Sequence, residues 1–205
     1  MEYKKIIMQI KSVYFLITLL LLSCNQNNKE EKCEEQYNRA KDYLNEYYLT
    51  NNKDYLNLLR LTIDSINCDT FRYSLSGIKI TLYLLMEDYE SGIVYLDSLL
   101  PDKFAKPYSK NMYLNSFKAL ICEKDDNTIC RNDYYKQIEN EIEKYIRDKI
   151  DKEALVDLYF IKSKIHGKEI LLNEIDSLKT INQYDTDYLD VLHETINKVY
   201  YSSTK

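Results

Sequence analysis

The chain is poor in the residues that punctuate a fold: 3 Gly, 2 Pro and no Trp in 205 residues. Ordinary chains carry roughly 7% Gly and 5% Pro. Tight turns draw on both, because Gly supplies positive φ and Pro presets the turn. So few of either exclude a sandwich or barrel with many hairpins, and an all-helical chain remains. The three glycines, Gly77, Gly92 and Gly167, provide no glycine-rich phosphate cradle, and the sequence contains neither a zincin helix nor a nucleophile elbow. Catalysis is not expected, and no catalytic residue, metal or cofactor is assigned. Positive charge is in deficit: 28 Lys and Arg face 33 Asp and Glu, for a net charge of -5 and a pI near 5.2. That balance lacks the basic footprint of phosphate-backbone binding, so nucleic acid is not an expected partner. A mean hydropathy of -0.49 is too polar for a multi-span membrane protein. With 45% hydrophobic and 30% charged residues the chain is also too apolar to stay disordered. Its length suits one domain with a real core.

What is present begins with a secretory signal over residues 1–23. Lys4, Lys5 and Lys11 make a positive start, and Ser12–Leu22 is an uncharged, mostly apolar run that ends before Ser23. The run is too short to span a bilayer, which takes about 20 apolar residues, and its extension back to Ile6 is broken by Gln9 and Lys11. Leu21-Leu22-Ser23-Cys24 resembles the lipobox of bacterial lipoproteins, in which the Cys is lipidated and becomes the mature N-terminus. The resemblance implies a membrane anchor at Cys24, palmitate or similar acyl chains adding about 0.8 kcal/mol per buried methylene. An ordinary cleaved signal with a chance Cys is the alternative. Loss of residues 1–23 removes a net +2 and leaves a mature charge of -7. Residues 24–32, polar and without periodicity, then read as a lipidated tether, with the helical domain following at 33–201. By resemblance to enteric lipoproteins, Asn25 after the lipid Cys favours the outer membrane, and Lys29-Glu30-Glu31 is similar to a surface-export signal or is simply a solvated linker.

Cys33, Cys68, Cys122 and Cys130 form an even set in an exported chain, where thiols are commonly oxidised. Tyr37–Thr50 and Lys53–Ile66 have helical character and are joined by Asn51-Asn52, which makes an antiparallel hairpin. Its arms are nearly equal, so Cys33 and Cys68 meet at the open end. Cys122 and Cys130 flank Glu123–Ile129, a polar loop containing Asp125-Asp126-Asn127. The expected bridges are Cys33–Cys68 and Cys122–Cys130, contributing roughly 4 and roughly 2–3 kcal/mol in the chain-entropy picture. Four free, buried thiols are the alternative. A metal site is disfavoured, since neither His166 nor His193 has a partner at ligand spacing.

Lys53-Asp54-Tyr55, Glu87-Asp88-Tyr89 and Asn132-Asp133-Tyr134 recur at expected helix-to-helix turns, with Gly167-Lys168-Glu169 at a fourth. Their third residues are 34, 45 and 35 apart, the longer interval containing the loop between Cys122 and Cys130. Ile63-Asp64-Ser65, Leu96-Asp97-Ser98 and Ile175-Asp176-Ser177 echo one another near helix ends. A period near 34 with Asp-Tyr at the turn resembles the tetratricopeptide repeat family. Met86–Ile93 is the best match, with Gly92 at a small-residue position, Leu96 at an aromatic one and Tyr83 at another aromatic one. Ile80, Leu58 and Gln137 depart from the family's small residues. The implied fold is all-α: stacked antiparallel helical hairpins, a tetratricopeptide-like solenoid, with a C-terminal capping helix.

Periodicity supports the helices independently. Leu75, Ile78, Leu82 and Leu85 recur at helical steps, as do Tyr89, Ile93, Leu96 and Leu100. Further stripes are Ile138, Ile142, Tyr145, Ile146 and Ile150; then Ala154, Leu158, Ile161 and Ile165; then Leu171, Ile175 and Leu178. Thr70 and Asp151 suit N-caps, Pro101 follows a helix end, and His166-Gly167 marks a turn. Tyr188, Leu192, Ile196 and Val199 give the last helix, starting near Asp185-Thr186, its apolar face.

Among charged residues, Glu143 and Arg147 form an ordinary i, i+4 surface pair, and His193-Glu194 with Asp187 and Asp190 reads as a solvated face. Asp125-Asp126-Asn127 lacks the spaced ligands and turn glycine of a calcium loop. Tyrosine is abundant, 21 against 5 Phe, which suits cores with wet edges and contact surfaces; composition bias of an AT-rich genome is the alternative explanation. The repeat resemblance implies a concave ligand face carrying Tyr43 and Tyr47, then Thr81, then Asp157 and Lys164. Its implied function is protein or peptide binding by a membrane-anchored envelope lipoprotein, probed first at Tyr43 and Tyr47. The alternatives are a glycan- or small-molecule-binding uptake lipoprotein and an immunity-type lipoprotein that neutralises a toxin.

Overall fold

The computed structural model describes residues 30–67, 71–147, 149–181 and 184–202. The described residues form nine α-helices and no strand. Helix α1 covers 30–50, α2 Asp54–Ser65, α3 Arg72–Leu85, α4 Tyr89–Ser98 and α5 Ser109–Lys124. Then come α6 Thr128–Arg147, α7 Lys152–Lys162, α8 Lys168–Lys179 and α9 Thr186–Ser202, with a 3-10 turn at Pro101–Lys103. No helix of the described residues is long and apolar enough to cross a membrane. The all-helical expectation holds. Helix α1 starts inside the stretch 24–32 expected as tether, and the region 33–201 comprises two compact units that divide between Glu87 and Asp88.

In the first unit, Leu56, Leu59 and Ile63 form one stripe of α2 and are buried with Ala40 of α1 and Leu82 of α3. Tyr43, Leu44, Tyr47, Ile78, Leu85 and Met86 pack around them. Gln36 donates to the Ser65 hydroxyl at 3.1 Å, joining the start of α1 to the end of α2 as an antiparallel hairpin requires. The Tyr37 ring stacks on Phe71 with centroids 4.5 Å apart. Cys33 is buried and disulfide-bonded; Cys68, its expected partner, lies outside the described residues, as do Cys24 and Thr70.

In the second unit, α5 packs on α4 and α6, α6 on α7, and α9 on α8 and α7. The core gathers Tyr135, Ile138 and Ile142 of α6, Leu155 and Leu158 of α7, Leu171 and Ile175 of α8, and Leu192 and Ile196 of α9. Gly92 lets α4 approach α5 closely, since a Cβ there would lie 2.7 Å from the Phe117 ring. Leu100 and Ile150, expected on buried stripes, are exposed because α4 ends at Ser98 and α6 at Arg147. Asp151 caps α7, accepting the Ala154 N–H at 3.0 Å, and Pro101 opens the 3-10 turn beyond α4, both as expected.

One turn differs from its expectation. Asn132-Asp133-Tyr134 lies inside α6, and the helix-to-helix turn is 125–127 instead. The Asn127 side chain accepts the Cys130 N–H at 3.0 Å, which starts α6 immediately, and Asp126 turns the chain with φ 54°. Asn51 at φ 53° and Glu87 at φ 56° occupy the equivalent place in the two earlier turns. A chain this poor in glycine makes its left-handed turns with Asn, Glu and Asp; the short polar side chains of Asn and Asp reduce the cost by bonding locally. The loop expected over Glu123–Ile129 therefore shrinks to a tight turn. The expected Cys122–Cys130 disulfide is present, with Cα atoms 5.8 Å apart, and closes this short segment by tying the last turn of α5 to the first turn of α6.

Candidate functional site

The second unit carries a polar network beside a cavity. The segment leading into α5 supplies Lys106 and Tyr108, the end of α6 supplies Tyr145, and α7 supplies its cap Asp151, then Glu153 and Asp157. Tyr108 is buried and its hydroxyl donates to Asp157 Oδ2 at 2.8 Å. The Tyr145 hydroxyl donates to Asp151 Oδ2 at 3.2 Å. The Lys106 ammonium donates to that same oxygen and pairs with Glu153 at 3.2 Å. The two tyrosine rings meet edge to face, centroids 5.2 Å apart.

The network sets its charges in opposite directions. Lys106, then the Ala154 N–H, hold the Asp151 carboxyl below the usual carboxylate range, and Asp151 in turn raises the Lys106 ammonium. Burial pushes the Asp157 carboxyl up, against the hydrogen bond from Tyr108. Burial, then Asp157 as acceptor, drives the Tyr108 phenol far above its ordinary value. Two carboxylates displaced in opposite senses are the usual mark of an acid–base pair. Here neither lines the cavity and both are occupied by fixed partners, so what the network does is hold 106–108 against α6 and α7.

The cavity, about 460 Å³, is lined by Pro107, Tyr108, Glu141, Lys144, Tyr145 and Lys149. That volume falls within the range of ligand pockets. Glu141 accepts from Asn111 at 3.1 Å, and the Lys149 ammonium sits 5.6 Å from the Tyr145 ring centre. The wall is a proline ring and two phenol rings, and the rim is charged.

A second network surrounds the buried Lys162 of α7. Its ammonium meets Glu174 at 3.0 Å, Glu143 at 3.1 Å and Glu139 at 3.7 Å, and His166 meets Glu139 at 3.1 Å. Burial opposes the Lys162 charge, and Glu174 and Glu143 outweigh it, raising the ammonium overall. Glu143 therefore belongs to Lys162, in place of the expected surface pair with Arg147. His193 faces Asp176 at 3.8 Å, while Lys179 bridges Asp176 and Asp190 at 2.8 Å each. No group of three or more His, Cys, Asp or Glu among the described residues could hold a metal ion.

The residues assigned from the repeat register fall in both units. Tyr43 and Tyr47 are half-buried against the first core, with Tyr43 6.3 Å from Tyr55 and Tyr47 5.8 Å from Tyr48. Thr81 is half-buried on α3. Asp157 joins the network just described, and Lys164 is exposed with its ammonium 4.8 Å from the Phe160 ring centre. The lining residues Tyr108, Glu141, Lys144 and Lys149 carry no sequence signal, and Tyr145 reads only as part of an apolar stripe. Of the network, Asp151 is legible through its cap position and Asp157 through the repeat register. Comparison of the chain with protein-family models, curated proteins and solved structures gives no match.

Proposed function

We propose that the chain is a lipid-anchored envelope protein, held at the outer membrane through Cys24, whose tetratricopeptide-like helical domain binds a protein or peptide and has no catalytic role. The observation that carries the binding reading is the cavity walled by Pro107, Tyr108 and Tyr145 and stiffened from behind by Asp151 and Asp157. A site held by fixed hydrogen bonds loses little freedom on binding. Recognition of a sugar would be served by open aromatic faces. Tyr108 is buried and meets Tyr145 edge to face, which supports a peptide over a glycan. Taken within each unit by itself, Tyr43, Tyr47 and Thr81 in the first and Asp157 and Lys164 in the second are the further residues proposed to contact a partner.

Two experiments test this reading. Metabolic labelling with a clickable fatty acid is expected to mark the wild-type chain and not Cys24→Ala; equal labelling would remove the anchor. A random peptide library selected on the detergent-solubilised chain is expected to enrich binders that Tyr145→Ala weakens. Enriched binders indifferent to that substitution would place binding elsewhere, and no enrichment would remove the peptide reading.

A further inference from the structure

The geometry points to an acidic peptide segment with an aromatic or other apolar side chain as the occupant of the Tyr108–Tyr145 cavity, an inference that rests on the peptide-binding reading above. The chain as a whole is acidic, at -5, yet the cavity is lined by two ammonium groups, Lys144 and Lys149, against one carboxylate, Glu141. Glu141 is already engaged by Asn111. The sequence run 144–149 holds Lys144, Arg147 and Lys149 against Asp148 alone, a local reversal of the chain's charge. Glu143, next to Lys144 in sequence, faces Lys162 instead, as does Glu139. Lys106 adds nothing to the excess, being committed to Asp151 and Glu153; those two carboxylates and Asp157 lie outside the cavity lining, so the excess is a property of the rim alone.

Charge and apolar surface are also separated in space. The wall consists of the Pro107 ring and the phenol rings of Tyr108 and Tyr145, whose hydroxyls are consumed by Asp157 and Asp151. The lysines are exposed, the Lys149 ammonium lying over the Tyr145 ring. An apolar side chain entering the cavity removes Pro107 and Tyr145 surface from water, Tyr108 being already buried. Carboxylates on either side of it then reach the ammonium groups at the rim, where opposite charge steers encounter and sets specificity. A chain segment with acidic residues flanking an aromatic one presents both features at once.

The test uses the full chain in neutral detergent and labelled peptides of one length, each with a central Phe flanked by Glu, by Ser or by Lys. The Glu-flanked peptide is expected to bind roughly tenfold tighter than the Lys-flanked one, with the advantage shrinking as salt rises. Lys144→Glu/Lys149→Glu is expected to abolish or invert that preference, while Tyr145→Ala weakens all three peptides and leaves their order unchanged. Circular dichroism confirms that each variant is folded; the lysines are exposed and their replacement leaves the core intact. Equal affinity for the Glu- and Ser-flanked peptides overturns the charge inference and leaves peptide binding standing. Failure of all three to bind, where the random library still enriches binders, overturns this cavity as the peptide site. Phenylpropionate binding as tightly as the Glu-flanked peptide assigns the cavity to a free acid and overturns the segment.

Discussion

The two units achieve packing by different means. The first has a small apolar core, Ala40, Leu56, Leu59, Ile63 and Leu82, framed by tyrosines, and its polar cross-links, Gln36 to Ser65 and Lys79 to Asp64, lie at the surface. The second sets a larger apolar core beside two networks that are partly out of water, one around Lys162 and one around Asp151. Exposed ion pairs contribute about 0–1 kcal/mol, because water screens them and ordering long side chains costs entropy. Pairs withdrawn from water are strongly destabilising when broken, since one charge is left buried alone. The difference teaches where geometry is being enforced. The cavity lies beside the Asp151 network, where a fixed surface is useful.

The sharpest way to break this comparison is through the cores. Phe117, almost fully buried against Gly92 and Tyr89, is expected to cost roughly 3–5 kcal/mol as Phe117→Ala. Hydrogen exchange read separately over 30–87 and 88–202 is expected to show the loss in the second segment; an equal loss in both would mean the units unfold as one. Next comes the charge comparison. Lys162→Met is expected to cost about 2 kcal/mol, below the full cost of a broken buried pair because Glu143 and Glu174 are about 40% exposed. Lys79→Met in the first unit is expected to cost under about 1 kcal/mol. Denaturant melts giving the same loss for both would remove the distinction between the networks.

The smallest effects lie within the cavity's own support and depend on pH. Asp151 has a depressed folded-state pKa, so its contribution is present above the unfolded value near 3.9 and is lost as pH falls through the folded one. Asp151→Asn is expected to cost about 1–2 kcal/mol at pH 7 and almost nothing near pH 2. Asp157 has a raised folded-state pKa, so its contribution is present below the unfolded value and lost as pH rises through the folded one. Asp157→Asn, which keeps an acceptor for Tyr108, is expected to match the wild type at low pH and to equal or exceed it by under about 1 kcal/mol at pH 7. Melting both variants from pH 2 to 8 checks the opposite slopes; slopes of the same sign would contradict the assignment of burial to one carboxyl and ion pairing to the other.

The legible parts of the molecule are local. Helical stripes such as Leu56, Leu59 and Ile63, or Leu171 and Ile175, follow from 3.6-residue periodicity, and Asp151 follows from cap chemistry acting over three residues. The Cys122–Cys130 bridge was legible because eight residues of separation leave little choice of partner. The turn falls at 125–127 and not at Asn132-Asp133-Tyr134 because the Asn127 side chain caps the first turn of α6, a local hydrogen bond that a recurring tripeptide does not encode.

The sequence by itself determined that this chain is helical, where most of its helices stop, and which faces turn inward, since those properties depend on neighbours within one or two turns. Tertiary structure alone decided that Glu143 meets Lys162 rather than Arg147, and that Asp151 and Asp157 are shifted in opposite directions. It also brought Pro107 and Tyr108 against Lys144, Tyr145 and Lys149 to make a cavity. Each of these depends on which helices pack together, and a long charged or aromatic side chain reaches several candidate partners until packing removes all but one from its reach and from water.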